Sequence, residues 1–511
     1  MTQPLFAGRS WDAETLQRIY DAVQPIALED LKLDVYANQL QVVSSDQMLD
    51  AYASVGMPYM YRHWSFGKRF AWDESQYRRG NTGLAYEIVI NSDPCISYYM
   101  EENSAAMQAL TVAHAAFGHN HFFKNNYLFK EWTDPSGILV YLQFASDYVA
   151  QCEEKHGLAA VERILDAAHA LQSSGVFRAR RTVPLSQEER QKRAAERRKY
   201  EAERYSELWH RTVPQSPIAY DQEEDNGNGK IVAPYLPEEN LLYFLEKYSP
   251  SLKAWEREIL RIVRVVGQYF YPQRQTKMMN EGCATFTHYY ITQMLWEKGL
   301  LTDGAYLEIL HNHTNVILQI PWHHRLYSGI NPYKLGFEMM MDIRRICEDP
   351  TGEDKEYLPI IAGCGDWRGV LKDAWANYRD DSFILQFLSP QLMRKLRLFA
   401  VSHQEGDDKL LVDHIHNARG FSEVRKSLAD TYAVANRDPD IEITGADFRG
   451  NRLLTLRQNI KLGRTLHTKS ALQTMAHLQT CWDYPIVMEC ATASGDIVST
   501  FKIDDGTIHN K

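Results

Sequence analysis

Two polar side chains near the middle of the chain have the types and the spacing needed for chemistry. Glu281 and His288 are seven residues apart, which is two helical turns, so they share one face of a helix predicted over 277–296. Ala284 and Thr285 on that face are small and leave room for a ligand to approach. A carboxylate and an imidazole placed in this way predict a metal or acid/base site. The alternative is an ordinary buried hydrogen bond between the two side chains.

A second pair of candidate ligands lies earlier in the chain. His114 and His119 are five residues apart and therefore about 140° apart around an ideal α-helix. They can converge only if the helix widens into a π-bulge, or if it ends at Gly118 and His119 turns back. The alternative is one core histidine and one histidine that caps the helix. Ala115 occupies the position where an HExxH zinc peptidase carries its general base.

The elements that must position these residues are mostly helical. Ser104 is a predicted N-cap for the helix that carries His114, and the β-rich run 83–91 before it predicts a strand. A further strand is predicted over 63–70. Residues 178–211 predict a charged helix that faces solvent or a partner, and the Pro- and Gly-rich residues 212–239 predict a linker.

The C-terminal part has a different organisation. Hairpins are predicted near 397–415, 440–457 and 484–503, with helices near 421–435 and 467–480 between them, which predicts one antiparallel sheet of repeated hairpin and helix units. The expected fold class is α+β, with a mostly helical N-terminal region that contains a small sheet. The predicted divisions are 1–177 and 240–394 for the two parts of the helical core, 178–239 for the charged helix and linker, and 395–511 for the C-terminal domain.

Composition excludes several classes of protein. The formal net charge of −10 over 511 residues gives no basic footprint for nucleic acid. No apolar run approaches the roughly 18 residues needed to span a bilayer, and the N-terminus does not have the pattern of a signal peptide. The seven cysteines are scattered and form no CxxC pair, which is typical of a reducing compartment. We therefore expect a cytoplasmic location and no membrane span.

Several motifs together resemble those of the SpoVR family (stage V sporulation protein R-like proteins). They are His63-Trp-Ser-Phe-Gly-Lys68, Tyr86-Glu-Ile-Val-Ile-Asn91, Glu101-Glu-Asn103, His114…Gly118-His119 with Phe122-Phe-Lys-Asn-Asn126, Met279-Asn-Glu-Gly282, His313-Thr-Asn315 and Gly329-Ile-Asn-Pro-Tyr333. The resemblance covers nearly the whole chain and is weakest around 178–239. Cys283 stands where the family is expected to have Trp, which bears on the shape of the pocket. The resemblance implies a cytoplasmic bacterial protein with a role in spore cortex formation, stress or stationary phase. It also implies a PrkA-type serine kinase/AAA+ protein and a von Willebrand-type protein as companions.

Two functions follow as hypotheses. The first is a metal-dependent hydrolase of zincin-like layout, which cleaves an amide or peptide bond and binds zinc or another divalent metal through His114, His119 and Glu281. His288 then acts in catalysis, as a transition-state stabiliser or as support for the ligands, and Glu102, or else Glu101, takes the place of the missing base. The second is a non-catalytic scaffold, in which these groups are core residues and the C-terminal domain docks the kinase partner.

Overall fold

The computed structural model of the protein describes residues 3–79, 86–178, 236–321, 323–402, 411–414, 417–504 and 507–510. These residues form mostly helices with small sheets, which confirms the α+β class. The chain divides into two compact units, Met1–Gly56 with Arg69–Lys130 and Pro272–Val434, and Met57–Lys68 with Glu131–Tyr271 and Ala435–Lys511. The domain boundaries given above stay a prediction. The charged helix and linker are predicted over 178–239. Only residues 178 and 236–239 of this range are among the described residues, and the rest lie outside them.

The elements are given in chain order. The helices are α1 (Ala13–Pro25), α2 (Ser45–Ala53), α3 (Trp64–Arg78), α4 (Ala105–Val112), α5 (Asn120–Asn125), α6 (Tyr127–Trp132), α7 (Ile138–His156), α8 (Leu158–Leu171), α9 (Leu241–Tyr248), α10 (Ala254–Gln275), α11 (Lys277–Glu297), α12 (Asp303–Val316), α13 (Pro332–Glu348), α14 (Gly352–Tyr357), α15 (Trp367–Asn377), α16 (Asp380–Phe387), α17 (Pro390–Lys395), α18 (Ala418–Tyr432), α19 (Val434–Arg437) and α20 (Thr468–Trp482). A π-helical turn spans Ile26–Asp30, the π segment spans Ala113–His119, and a 3₁₀ turn spans Gln172–Ser174.

The strands are β1 (Asn38–Val43), β2 (Glu87–Ile90), β3 (Cys95–Met100), β4 (Ala400–Ser402), β5 (Leu411–His414), β6 (Asp440–Ala446), β7 (Leu454–Asn459), β8 (Ile486–Ala491), β9 (Ile497–Asp504) and β10 (Thr507–Asn510). In the first unit, β1 runs parallel to β3 and β2 runs antiparallel to it, in the order β1-β3-β2. Strand β2 falls inside the predicted strand 83–91, and its first residue, Glu87, pairs with Tyr99. Strands β2 and β3 pack against the π segment.

Helix α11 lies at the centre of the first unit and is buried on nearly every side. It packs against the π segment and against α13. Both contacts need glycine: a Cβ on Gly118 would lie 2.5 Å from the Cα of Ala284, and a Cβ on Gly282 would lie 2.7 Å from the backbone of Gly336. These glycines let the backbones approach closely, which brings the π segment within side-chain reach of α11.

The second unit is built on a five-stranded mixed sheet in the order β10-β9-β8-β7-β6. The pairs β6/β7, β8/β9 and β9/β10 are antiparallel, whereas β7 and β8 are parallel. Helix α20 connects β7 to β8 and packs against α8. The large buried side chains of this core include Trp482 and Phe244.

Two predictions of secondary structure are wrong. Residues 63–70 do not form a strand, because Trp64–Arg78 is helix α3, which begins just after His63 and contains the i,i+4 ion pairs Arg69–Asp73 and Glu74–Arg78. The C-terminal hairpins do not form one antiparallel sheet. Strands β4 and β5 form a separate two-stranded sheet, and the crossover through α20 makes β7 and β8 parallel.

Candidate metal centre

The π segment resolves the awkward spacing of His114 and His119. A π-helix has more residues per turn than an α-helix, so positions five apart come close to one another instead of about 140° apart. The two imidazole rings meet edge to face, with their centroids 4.6 Å apart. Both side chains are buried, and His119 is the more exposed of the two at 8%. Of the two routes to convergence that the sequence left open, the structure has the π-bulge.

Glu281 of α11 completes a group of three potential ligands. Its Oε2 atom lies 3.6 Å from Nε2 of His119 and 3.9 Å from Nε2 of His114. One ligand atom from each residue lies within 4.8 Å of the others, and no other group of three or more such side chains meets this condition among the described residues. An ion with ligand bonds of about 2.1 Å and tetrahedral geometry separates its ligand atoms by about 3.4 Å. The spacing therefore fits a small divalent ion after slight contraction.

The hydrogen bonding of Glu281 also suits a cation. Its Oε2 atom is buried and has no hydrogen-bond donor, and the Tyr333 hydroxyl interacts electrostatically with the same carboxylate. A buried carboxylate oxygen without a donor or a positive partner is costly, because it has lost its hydration. A divalent ion held by Glu281, His114 and His119 would satisfy this oxygen.

Each ligand histidine is held at the ring nitrogen that faces away from Glu281. Nδ1 of His119 lies 2.9 Å from Oδ1 of Asn280, and because that oxygen can only accept, His119 donates from Nδ1 and keeps its lone pair on Nε2. Nδ1 of His114 lies 2.9 Å from Nδ1 of His288. Donation by His114 in this contact leaves its Nε2 lone pair directed towards Glu281. Such partners of ligand histidines fix the ring and its tautomer in metal sites.

His288, predicted to act in catalysis, is completely buried behind His114. Its Nε2 atom lies 2.8 Å from Nδ1 of His313, so the three imidazoles form a chain that starts at His114. Burial and the neighbouring imidazoles lower the pKa values of His114 and His288 well below the usual range, and burial lowers the pKa of His313 to about 4. Neutral imidazoles are the form that binds metals. The structure thus places His288 where it can orient His114.

Glu87 lies at the cluster and was missed by the sequence analysis. Its Oε1 atom is 3.7 Å from Nε2 of His114, on the opposite side of the imidazole from His288. Burial, reinforced by the charge of Glu281, raises the pKa of Glu87 to about 8. Glu101 and Glu102 are instead exposed in the turn after β3. The sequence carried a partial signal, because Glu87 is the one charged residue in the predicted strand 83–91.

The residues around the cluster share one feature of the sequence, which is membership of the family motifs. Asn280, His313, Tyr333 and Glu87 all belong to motifs that carry the family resemblance, and the structure gathers these distant motifs around one cluster. A motif match alone did not show that they meet.

The structure therefore defines a class: a mostly helical α+β protein whose larger core encloses a buried cluster of two histidines and a carboxylate. Residues 10–437 match the family model described as SpoVR like protein, and residues 439–493 match the SpoVR-like C-terminal domain. The chain belongs to the SpoVR family, which confirms the resemblance seen in its motifs.

A relative in Escherichia coli (strain K12), named "Uncharacterized protein YcgB", is 47% identical over 496 residues, which cover 97% of this chain and 96% of the relative. No solved structure matches this chain. Among the described residues, no helix is both long enough and apolar enough to cross a membrane.

Proposed function

We propose that this protein is a metal-dependent hydrolase that cleaves an amide or peptide bond, with His114, His119 and Glu281 as the ligands of a divalent ion. The observation that carries the proposal is the buried Oε2 of Glu281, which has no hydrogen-bond donor and lies 3.6 Å and 3.9 Å from two imidazole nitrogens. Zinc is the favoured ion, because two imidazoles and one carboxylate leave the fourth position that catalytic zinc sites keep for water or substrate.

The order of the elements supports a zincin-like layout. A strand, β3, precedes the helix that carries both histidines, and a distant helix, α11, supplies the carboxylate. The spacing of five residues within the π segment replaces the usual spacing of four. The position after the first histidine is Ala115, so a base must come from another element.

We assign the role of general base to Glu87 rather than to Glu102. Glu87 lies beside the ligand His114 and is buried, whereas Glu102 is exposed. When a divalent ion is bound, it supplies Lewis acidity to a water molecule and to the substrate carbonyl. Glu87 would accept a proton from the attacking water and deliver it to the leaving amine. His288 and Asn280 would hold the two ligand rings, and Tyr333 would hold Glu281.

The physiological setting is also part of the proposal and comes from family membership. It comprises spore cortex formation in spore formers, stress or stationary phase elsewhere, and work alongside a PrkA-type kinase/AAA+ protein and a von Willebrand-type protein. The acidic net charge is compatible with partners other than nucleic acid.

The first test measures metal content. Full-length protein purified without chelator or metal-affinity resin is analysed by elemental mass spectrometry beside the variants Glu281→Gln and His114→Ala. The proposal expects about one divalent ion per chain in the wild type and loss of that ion in both variants. Glu297→Gln on the exposed end of α11 and His311→Ala on α12 are the matched controls and should keep the ion.

The second test measures hydrolysis with a quenched-fluorescent peptide library and the zinc-loaded protein. Cleavage should disappear with Glu281→Gln. Wild-type protein that holds no ion at any tested loading of zinc, iron or manganese would overturn the proposal. It would favour the scaffold hypothesis, in which partner binding depends on residues 395–511.

A further inference from the structure

An oxidisable thiol pair lies at the end of α13, independent of the proposed metal centre. All seven cysteines are among the described residues, where six are buried and Cys364 is exposed. Cys347 is in the last turn of α13, and Cys364 is in the loop between α14 and α15. The N–H of Gly365, the residue after Cys364, bonds the carbonyl of Cys347, and the two thiols interact electrostatically. The pair thus combines an exposed thiol, which small oxidants can reach, with a buried partner beside it.

The backbone holds the loop against the helix on both sides of Cys364. The N–H of Gly363 donates to the carbonyl of Ile346, and the N–H of Gly365 donates to the carbonyl of Cys347, each at 3.0 Å. These carbonyls belong to the last turn of α13, where a helix has no partners of its own for its C=O groups. Gly363 and Gly365 have φ values of +75° and +74°, which the turn requires and which other residues rarely adopt.

Side-chain contacts also hold the segment between Cys347 and Cys364. Arg345 of α13 makes two hydrogen bonds to the carboxylate of Asp354 in α14, at 2.7 Å and 3.0 Å. The same carboxylate accepts a hydrogen bond from the backbone N–H of Thr351, just before α14. Because these contacts restrain the segment that leads from Cys347 to Cys364, a bond between the two thiols would cost little chain entropy.

We propose that Cys347 and Cys364 form a site of reversible oxidation that closes to an intramolecular disulfide when a peroxide reaches Cys364. In the first step the Cys364 sulfur attacks the O–O bond of hydrogen peroxide, which gives a sulfenic acid and water. In the second step the Cys347 sulfur displaces the hydroxyl group, which leaves with the Cys347 proton as a second water. Two electrons pass from the two thiols to one peroxide, and a reducing thiol restores the starting state.

The order of the steps follows from the burial of each thiol. Burial and the adjacent Cys364 thiol raise the pKa of Cys347 to about 12, so Cys347 is a poor thiolate and does not react first with a soluble oxidant. The exposed Cys364 takes the first step and Cys347 resolves it.

The test counts thiols and maps the crosslink in full-length protein. Reduced protein receives a small excess of hydrogen peroxide and is then denatured and titrated, and we expect free thiols to fall from seven to five per chain. Peptide mapping should find a Cys347–Cys364 crosslink that dithiothreitol removes. Cys347→Ala should trap the sulfenic acid on Cys364, detected as a dimedone adduct, and Cys364→Ala should give neither product.

Cys152→Ala is the matched control, because it removes a buried thiol of α7 and should leave the crosslink intact. Three results would overturn the proposal: all seven thiols persist, a crosslink joins Cys364 of two chains, or Cys364 proceeds to sulfinic acid while Cys347 stays reduced.

Discussion

Each ligand histidine in the cluster has one ring nitrogen engaged by a neighbouring side chain, which leaves the other nitrogen to face Glu281. Asn280 holds His119, and His288, itself in contact with His313, holds His114. Rotation of either ring would break a buried hydrogen bond, and a buried polar group left unpaired costs about 1–3 kcal/mol. The two rings are thus already oriented for the ion that we propose.

The chain of imidazoles leads to the first prediction. His288→Phe keeps a ring in the buried space but removes the acceptor for His114, so we expect the affinity for zinc to fall by about 10- to 100-fold. Competition against a fluorescent zinc chelator measures this change. His311→Phe on an exposed position should leave the affinity unchanged. His288→Gln, which restores an acceptor, should recover part of the loss; equal affinity in all four proteins would show that His288 has no positioning role.

Glu87 gives the second prediction. Glu87→Gln should retain about one zinc ion per chain and lose peptide hydrolysis by about 100-fold or more, because the amide cannot accept the proton of the attacking water. Metal analysis and the peptide assay on the same preparation separate the two effects. If zinc is lost together with activity, Glu87 is a fourth ligand and the assignment of a base fails.

At the scale of elements, helices were easier to predict than strands. The helix over 277–296 could be predicted because it is long and its polar residues fall at helical spacing, and it matches α11 closely. The alternating aromatic and polar residues of 63–70 resemble a strand, while three of the four residues in the ion pairs that support α3, Asp73, Glu74 and Arg78, lie beyond this run. The parallel pairing of β7 and β8 depends on a crossover, which strand propensity does not encode.

The candidate site was predicted only in part for a related physical reason. His114, His119 and Glu281 carry ligand atoms, and their types, their spacing and the family motifs singled them out. The charge of Glu87 within an apolar run was visible in the sequence, but its burial beside His114, which favours it over Glu102 as a base, depends on how β2 packs against the π segment. The sequence left the π geometry as one of two open routes, since it does not show that Gly118 packs closely against Ala284.

The contact between α11 and α13 gives the third prediction. Gly282→Ala places a Cβ 2.7 Å from the backbone of Gly336, so the helices must separate, and we expect a loss of about 1–3 kcal/mol in the free energy of unfolding. Gly304→Ala in α12 meets nothing within 4 Å and should be neutral or stabilising by up to about 1 kcal/mol. Urea denaturation measures both variants, and similar stabilities would show that the helices do not need the glycine contact.

At the scale of the whole molecule, the boundary between the two family models coincides with a change in secondary structure. The two matches end and begin at residues 437 and 439, just before β6 starts at Asp440. Before that point the described chain is largely helical, and after it the chain supplies all five strands of the mixed sheet. Stability changes with pH where a group has different pKa values in the folded and unfolded states, so buried carboxyl groups with shifted pKa values should contribute strongly.

Asp380 makes that pH dependence testable. Its buried carboxyl accepts the backbone N–H groups of Met278 and Met279 at the start of α11, each at 2.9 Å. Burial nevertheless raises the pKa of Asp380 to about 7 from its ordinary value of about 4, helped by the charges of Asp381 and Glu281. Between these two pH values the folded state holds a proton that the unfolded state has released. The contribution of Asp380 to stability is therefore complete below about pH 4 and is lost as the pH rises towards 7.

We therefore expect Asp380→Asn, which cannot ionise, to become more stable relative to the wild type by a few kcal/mol as the pH rises from about 4 to about 7. Urea unfolding followed by circular dichroism at several pH values measures this difference. Asp373→Asn on an exposed position of α15 should follow the wild-type curve. A constant difference between Asp380→Asn and the wild type would mean that the carboxyl is ionised throughout, with the two N–H groups at the start of α11 outweighing the cost of burial.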